Sequence, residues 1–450
     1  MKEILPDGRI KLIPTDWRYS ATIVGLYRYF VSLGLNDAFE INDDEFIYNP
    51  DFLYSSPTFK EDFAKFLKQY YGDNEFYHLI VKSMLLSEHP EEKIKEINEL
   101  LVKNVSMKSI FQSIKYDGTN KDEILKLIED NDTFLAIERI KNTKYTKYCQ
   151  KGKLFENTQK SCRLLGFYCD MDKKGKSVGY NFIKPHLIDI IEFDFVMFGF
   201  SKAKYGEESI FINSNWDINT LISTNNKIKE DSELKYALIK NIKESSDFLN
   251  DNVEVIIKKD NTSKNFESSV YYETFMLSKN SINIFKSIDS LENISFIKIG
   301  DNFINLKREI IDSIVNNVYL DGLIDFALKN KYNNLGIRQM IGINQKIYSK
   351  GENKMTNEFK GAYKCAMEIT ENLNENKVKS FKEKLISAIS VDDKDNVYKI
   401  LSKLSNYSDV SIGFIYDLLA DYDENKNTLY VFVNALGNKT KSSKEDNENE

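Results

Sequence analysis

Two carboxylate pairs in this chain have a spacing that could hold a divalent cation, Asp170 with Asp172 and Glu192 with Asp194. A metal held there could support phosphoryl transfer or hydrolysis. Pairs of this kind are frequent by chance, and the second lies in a stretch that reads as a strand whose side chains can simply face solvent. Cys149, Cys162, Cys169 and His186 make four potential zinc ligands, but the cysteines are separated by 13 and 7 positions. A structural zinc site needs a tight turn that brings two ligands together within two to four residues, and no such pair exists. His78, His89 and His186 have no Cys or Asp partner at the spacing of a catalytic triad. The GxxxxGKS/T, HExxH, GxSxG and GxGxxG patterns are all missing. The expectation is a protein without catalytic residues, metal or cofactor. A metal-dependent nuclease or nucleotide-acting enzyme built on the two carboxylate pairs is the alternative.

A different chemistry is concentrated between residues 139 and 176. Arg139, Lys141, Lys144, Lys147, Lys151, Lys153, Lys160, Arg163, Lys173, Lys174 and Lys176 face only Glu156, Asp170 and Asp172. Tyr145, Tyr148, Phe155, Asn142, Gln150, Asn157 and Gln159 are interleaved. Cations neutralise phosphates, aromatic faces stack on bases and amides read base edges, so this mixture suits nucleic-acid contact. A solvated lysine-rich loop would look similar. A weaker basic strip runs through Lys329, Lys331, Arg338, Lys346, Lys350 and Lys354, opposed only by Glu352, with Gly336, Gly342 and Gly351 free to form loops close to a backbone. A linker between domains is the other reading of that strip.

Composition limits how much the lysines prove. The chain is rich in Lys, Asn, Ile, Tyr and Phe, the bias of an AT-rich genome, and contains only seven arginines. Arginine positions are therefore the more informative, and three of them, Arg9, Arg18 and Arg28, lie near the start. A formal charge of −7 argues against a free-standing, sequence-indifferent nucleic-acid binder and for local basic strips on a protein that otherwise meets protein partners. Four cysteines in 450 residues do not make a disulfide framework, and no leader or spanning segment is evident. A cytoplasmic protein with no membrane partner is expected.

The elements that must position these residues read as α+β: a helical N-terminal region over residues 1–140, the basic loop segment 141–176, a mixed α/β region over 177–330, a C-terminal helical bundle over 331–436 and a disordered tail over 437–450. Helical patterns cover 14–34, 59–71, 76–86, 91–105, 107–114 and 121–140. Strand patterns appear at 41–48, 188–200, 209–212, 253–258, 270–277 and 294–299, with a helix at 232–248 between them. Further helices are expected at 307–317, 321–328, 357–373, 377–390, 392–405, 411–422 and 428–436, and no proline after Pro185 interrupts them. The first helix is apolar on most sides. Asp16 or Thr15 can cap its start, Gly34 can end it, and Trp17, Ala21, Val24 and Val31 form one face.

That helix also carries a resemblance. The order Asp16-Trp17-x-Tyr19-x-Ala21-x-Ile23-Val24-Gly25-Leu26-x-Arg28, just after the strand-like run Arg9 to Ile13, resembles the N-terminal signature of the CXXC-CXXC CRISPR-associated proteins, the large subunits of type I-B Cascade surveillance complexes. The chain departs from that family in lacking the paired CXXC motifs, so no zinc-stapled middle is carried over. The resemblance implies a non-catalytic subunit with guide RNA, target double-stranded DNA, the backbone and small Cascade subunits and a helicase-nuclease as partners. It implies that the subunit binds the protospacer-flanking motif and aids duplex opening. The 139–176 segment would then hold the flanking duplex or the guide's 5′ end, with Asn142, Asn157 and Gln159 as candidates for base edges. It further implies that the part beyond about residue 330 resembles the small subunit, with Met340 or Met355 as a candidate internal translation start.

Overall fold

A computed structural model describes residues 1–156, 163–165, 189–201, 208–214, 217–227, 252–261, 269–288, 291–300, 302–349 and 357–438. It is α+β and divides into two compact units, Met1–Phe248 with Val253–Phe275, and Leu249–Asn252 with Met276–Glu450. The division falls inside the 177–330 region that the sequence pattern treats as one piece.

The first unit opens with short strands β1 (Lys2–Ile4) and β2 (Ile10–Leu12), then α1 (Trp17–Ser32). The Asp16 side chain accepts the Arg18 N–H at α1's start, and Gly34 adopts φ +72° just past its end, which a side-chain-free residue tolerates. The 41–48 segment is not one strand but a hairpin, β3 (Phe39–Asn42) and β4 (Glu45–Tyr48), turning at Asp43 and Asp44. Together these strands form an antiparallel sheet in the order β1-β2-β4-β3, so a sheet accompanies the helices of the N-terminal region. Helices α2 (Phe59–Tyr71), α3 (Tyr77–Leu85), α4 (Ile94–Leu101), α5 (Val105–Phe111) and α6 (Lys121–Thr143) follow. A satellite core of Val81, Leu85, Ile97, Leu101, Phe111, Ile124 and Ile128 joins α3 to α6.

The 188–200 run, expected as a strand, is instead a 3-10 turn (Ile191–Phe195) leading into the single-turn helix α7 (Val196–Gly199). A run that is apolar on all sides does not distinguish a buried strand from a buried helical turn. Backbone proximity decides here: a Cβ on Gly25 of α1 would overlap the carbonyl oxygen of Phe195, and one on Gly199 would overlap that of Ala21. Helical turns let two backbones cross at small residues while the phenylalanines splay outward. Tyr29, Phe63, Phe66, Phe195 and Phe198 pack mostly edge to face, with centroids 4.8 to 6.4 Å apart, each pair adding about 0.5–1.5 kcal/mol beyond its burial. Trp17 and Val24 are buried as expected, whereas Val31 is 42% exposed. Beyond α7 come β5 (Glu208–Asn213), α8 (Ile218–Lys227), β6 (Val253–Asn261) and β7 (Ser269–Leu277), the strands forming a sheet in that order. The helix expected at 232–248 lies outside the described residues.

The second unit contains α9 (Lys279–Ser287), the hairpin β8 (Phe296–Ile299) and β9 (Asn302–Asn305), then α10 (Leu306–Val315), α11 (Asp321–Lys329) and α12 (Asn334–Tyr348). After these come α13 (Asn357–Asn372), α14 (Glu375–Ser390), α15 (Lys394–Ser408), α16 (Ile415–Ala420) and α17 (Tyr422–Ala435). Of the basic strip read as glycine-bearing loop, Lys329 therefore ends α11, and Arg338 and Lys346 lie on α12. Asn333 caps it, and Ile337, Met340, Ile341 and Ile347 are its buried stripe. Buried Asn344 ties the bundle together: its amide donates to Asp321 Oδ1 and Asn427 Oδ1, each 2.8 Å away, and its oxygen accepts from Leu320 N at 2.7 Å. Met340 sits fully buried in mid-helix, so a translation start there would remove the first turn and a half of α12; Met355 lies outside the described residues.

Candidate nucleic-acid interface

The basic segment begins on the last turns of α6, turns through a 3-10 stretch at Tyr145–Lys147, and is pinned to the core by an antiparallel bridge, Cys149 to Leu164, before a second 3-10 turn at Lys151–Lys153. Its inner face is a buried ion cluster. Arg163 is 1% exposed, with Nε 2.6 Å from Asp194 and Nη1 3.2 Å from Asp189. Its remaining donors reach the carbonyls of Ile190 (2.8 Å), Lys153 (3.0 Å) and Glu156. Burial pulls the Arg163 guanidinium down, but Asp194 and Asp189 overcome that and hold it above its ordinary value. Burial pushes both carboxyls up, against the pull of the same guanidinium. Tyr145 Oη and Phe155 N also donate to Asp194, at 2.6 and 2.9 Å. Arg163 accordingly anchors the segment and does not face a ligand, a correction to its assignment as a phosphate contact. Arginine can hold two buried carboxylates and three carbonyls with one planar fork, which lysine cannot.

Several other residues of the segment are also engaged within the chain. Arg139 donates to the Glu75 carbonyl and carboxylate at 2.9 and 2.8 Å and lies over the Tyr77 ring. Lys144 shares Glu75 at 3.5 Å, and Lys141 pairs with Glu138 at 3.3 Å. Asn142 donates to Glu138 O and Oε2, which fixes the amide proposed to read a base. Lys151 is exposed, and Lys147 and Lys153 are half-buried. Asn157, Gln159, Lys160, Lys173, Lys174 and Lys176 lie outside the described residues. Of the second strip, Arg338 is exposed, Lys346 donates to the Ser287 carbonyl, and Lys350 lies outside the described residues.

Of the carboxylates weighed as metal ligands, the two described ones, Glu192 and Asp194, are buried and engaged within the chain. Glu192 is fully buried, and its Oε1 lies 2.6 Å from both Tyr48 Oη and Lys2 Nζ. Asp194 belongs to the Arg163 cluster, and Asp170 and Asp172 lie outside the described residues. Cys149 is buried with its thiol directed at the Phe193 carbonyl, and burial raises its pKa well above the ordinary value. Cys162, Cys169 and His186 are outside the described residues. His78 pairs with Asp132 at 3.1 Å, and exposed His89 approaches Glu91 at 3.3 Å. Among the described residues no group of three or more His, Cys, Asp or Glu is placed to hold a metal ion, and no helix is long and apolar enough to cross a membrane.

The structure brings together a surface that the sequence reading passed over. On α14, Lys377, Phe381 and Lys384 fall at positions i, i+4 and i+7 of one face. Tyr407 of α15 is 62% exposed, and its ring lies 5.8 Å from that of Phe381. Lys377 Nζ stands 5.3 Å over Tyr407 and Lys384 Nζ 5.8 Å over Phe381. Lys403, four residues before Tyr407, is exposed on the same side of α15. Ammonium groups over aromatic rings, with the lysines all exposed, offer phosphate neutralisation and base stacking on one face. The i, i+4, i+7 spacing was present in the sequence but hidden by the lysine-rich background.

A protein-family model described as CRISPR-associated protein Csx8 matches residues 9–236 and 229–436. No curated protein matches the chain, and no solved structure does. The two matched stretches run from the signature strand before α1 to the last helix of the bundle, so the chain belongs to the CRISPR-associated protein Csx8 family.

Proposed function

We propose that this protein is a non-catalytic large subunit of a CRISPR surveillance complex of the type I-B Cascade kind. In such a complex, pairing with guide RNA reads the target sequence. The subunit would bind the motif flanking the protospacer on double-stranded DNA, help open the duplex and recruit the helicase-nuclease, alongside backbone and small subunits in the cytoplasm. Family membership supports the CRISPR setting. The observation that carries nucleic-acid contact is the α14–α15 face, where Lys377 and Lys384 stand over Tyr407 and Phe381. In the first unit, Lys151 and the basic residues beyond it would add contacts, while Arg163 and Arg139 hold the segment in place. Engagement of Glu192 Oε1 by Tyr48 and Lys2, and burial of Asp194 beside Arg163, give the metal-dependent nuclease reading no support.

The test is DNA affinity of the assembled complex, measured by anisotropy across a salt series, with Lys377→Glu/Lys384→Glu/Lys403→Glu beside the unaltered protein. Loss of three single-strand phosphate contacts lowers the salt slope by about 2, and affinity at low salt is expected to fall by about tenfold or more. An unchanged slope and affinity in a variant that still assembles would refute contact through this face.

A further inference from the structure

A cleft of about 250 Å³ opens in the second unit between the end of α11, the start of α12 and α14. Its floor is apolar, formed by Leu328, Ile337 and Ile386, and its rim carries three ammonium groups, Lys331, Lys379 and Lys382. Lys379, Lys382 and Ile386 lie on the side of α14 opposite to Lys377, Phe381 and Lys384, so this cleft is separate from the stacking face already described.

Charge at the rim is unbalanced. Glu383 also lines the cleft, but it sits 3.6 Å from Lys331 with both side chains largely exposed, which makes a weak pair. Lys379 has no ion-pair partner among the described residues. Lys382 is half-buried, and its ammonium donates to the Leu436 carbonyl at 2.8 Å and more weakly to Asn434 O. No described carboxylate pairs with it, and burial lowers its pKa. A part-buried ammonium held only by carbonyls gains from an anion that supplies the missing charge. The volume is below the roughly 300–1,000 Å³ that encloses a drug-sized ligand, which suits one flat ring system with one phosphate.

We propose that this cleft binds a single nucleoside phosphate unit, its base against Leu328, Ile337 and Ile386 and its phosphate among Lys331, Lys379 and Lys382. The unit is either a free mononucleotide or one residue of a strand. The inference does not require the α14–α15 face to bind DNA, and the two fail separately.

Binding of dAMP, inorganic phosphate, a dA12 strand and an abasic strand of the same length to the full chain, followed by calorimetry and ligand-detected NMR, tests it. The variants are Lys331→Glu/Lys379→Glu, at exposed rim positions, and Lys377→Glu/Lys384→Glu on the opposite face. The rim pair is expected to weaken dAMP at least tenfold with the melting temperature unchanged, while the opposite pair leaves dAMP unaffected. Binding of dAMP identifies a free nucleotide. Rim-sensitive binding of dA12 but not of dAMP, with the abasic strand weaker, identifies a strand residue. The proposal is overturned if neither dAMP nor dA12 binds, if phosphate binds as tightly as dAMP where dAMP binds, if the abasic strand matches dA12 where only strands bind, or if the rim pair leaves binding intact.

Discussion

The two units use their arginines in opposite ways. In the first, all five are engaged within the chain: Arg9 with Asp7 and Glu40, Arg18 with Asp16, Arg28 with the carbonyls of Phe198, Phe200 and Asn225, Arg139 with Glu75, and Arg163 with Asp189 and Asp194. In the second, Arg308 and Arg338 are exposed, and Arg308 reaches only an equally exposed Asp312 at 3.5 Å. A rare guanidinium in a lysine-rich chain therefore marks structural forks in the first unit, whereas in the second Lys377 and Lys384 stand exposed over aromatic rings. Scarcity identifies a residue that lysine cannot replace, and the reason can be a buried fork as readily as a phosphate contact.

The sharpest way to break this contrast is Arg163→Ala. It leaves two carboxyls buried without their cation, and a loss of about 3–5 kcal/mol is expected, read as the denaturation midpoint of the first unit. Gly199→Ala comes next: its new methyl meets the Ala21 backbone on α1, and overpacking of this kind costs about 1–3 kcal/mol. A smaller effect is pH-dependent. Asp132 accepts from His78 at 3.1 Å and Lys68 at 2.5 Å, and the hydrogen bond from His78 foremost holds its carboxyl down to about 2. A carboxyl held below its ordinary value stabilises the fold above pH 4, and that stabilisation is lost as pH falls from about 4 to about 2. Asp132→Asn should flatten the acid limb of the stability profile by about 1 kcal/mol after allowance for solvent screening. Least of all, Arg338→Ala should stay within about 0.5 kcal/mol of the parent; a cost near that of Arg163→Ala would erase the contrast between the units.

Much of the helical framework was legible. The 59–71 helix is found at the expected residues, and the capping of α1 by Asp16 follows from its side chain. Two misreadings have different causes, backbone proximity in one and an overlooked apolar stripe in the other. The 188–200 run looks like a strand because its residues are β-branched and aromatic, yet Gly25 and Gly199 let the two backbones meet and favour helical turns. Residues 334–348 look like loop because of Gly336, Gly342 and their asparagines, although Ile337, Met340, Ile341 and Ile347 carry a helical stripe. Of the candidate interface, the exposure of Lys151 and Arg338 was in reach of the sequence. The removal of Arg163 from it was not, because Asp189 and Asp194 are 26 and 31 positions away and only the fold brings them together.

The central claim is that this chain works inside a CRISPR ribonucleoprotein. Purifying the tagged full-length protein from its native host and sequencing the RNA that accompanies it, with mass spectrometry of the proteins, tests that most directly. Short RNAs flanked by repeat sequence, together with backbone subunits, are the predicted result. A solitary protein free of RNA would contradict it.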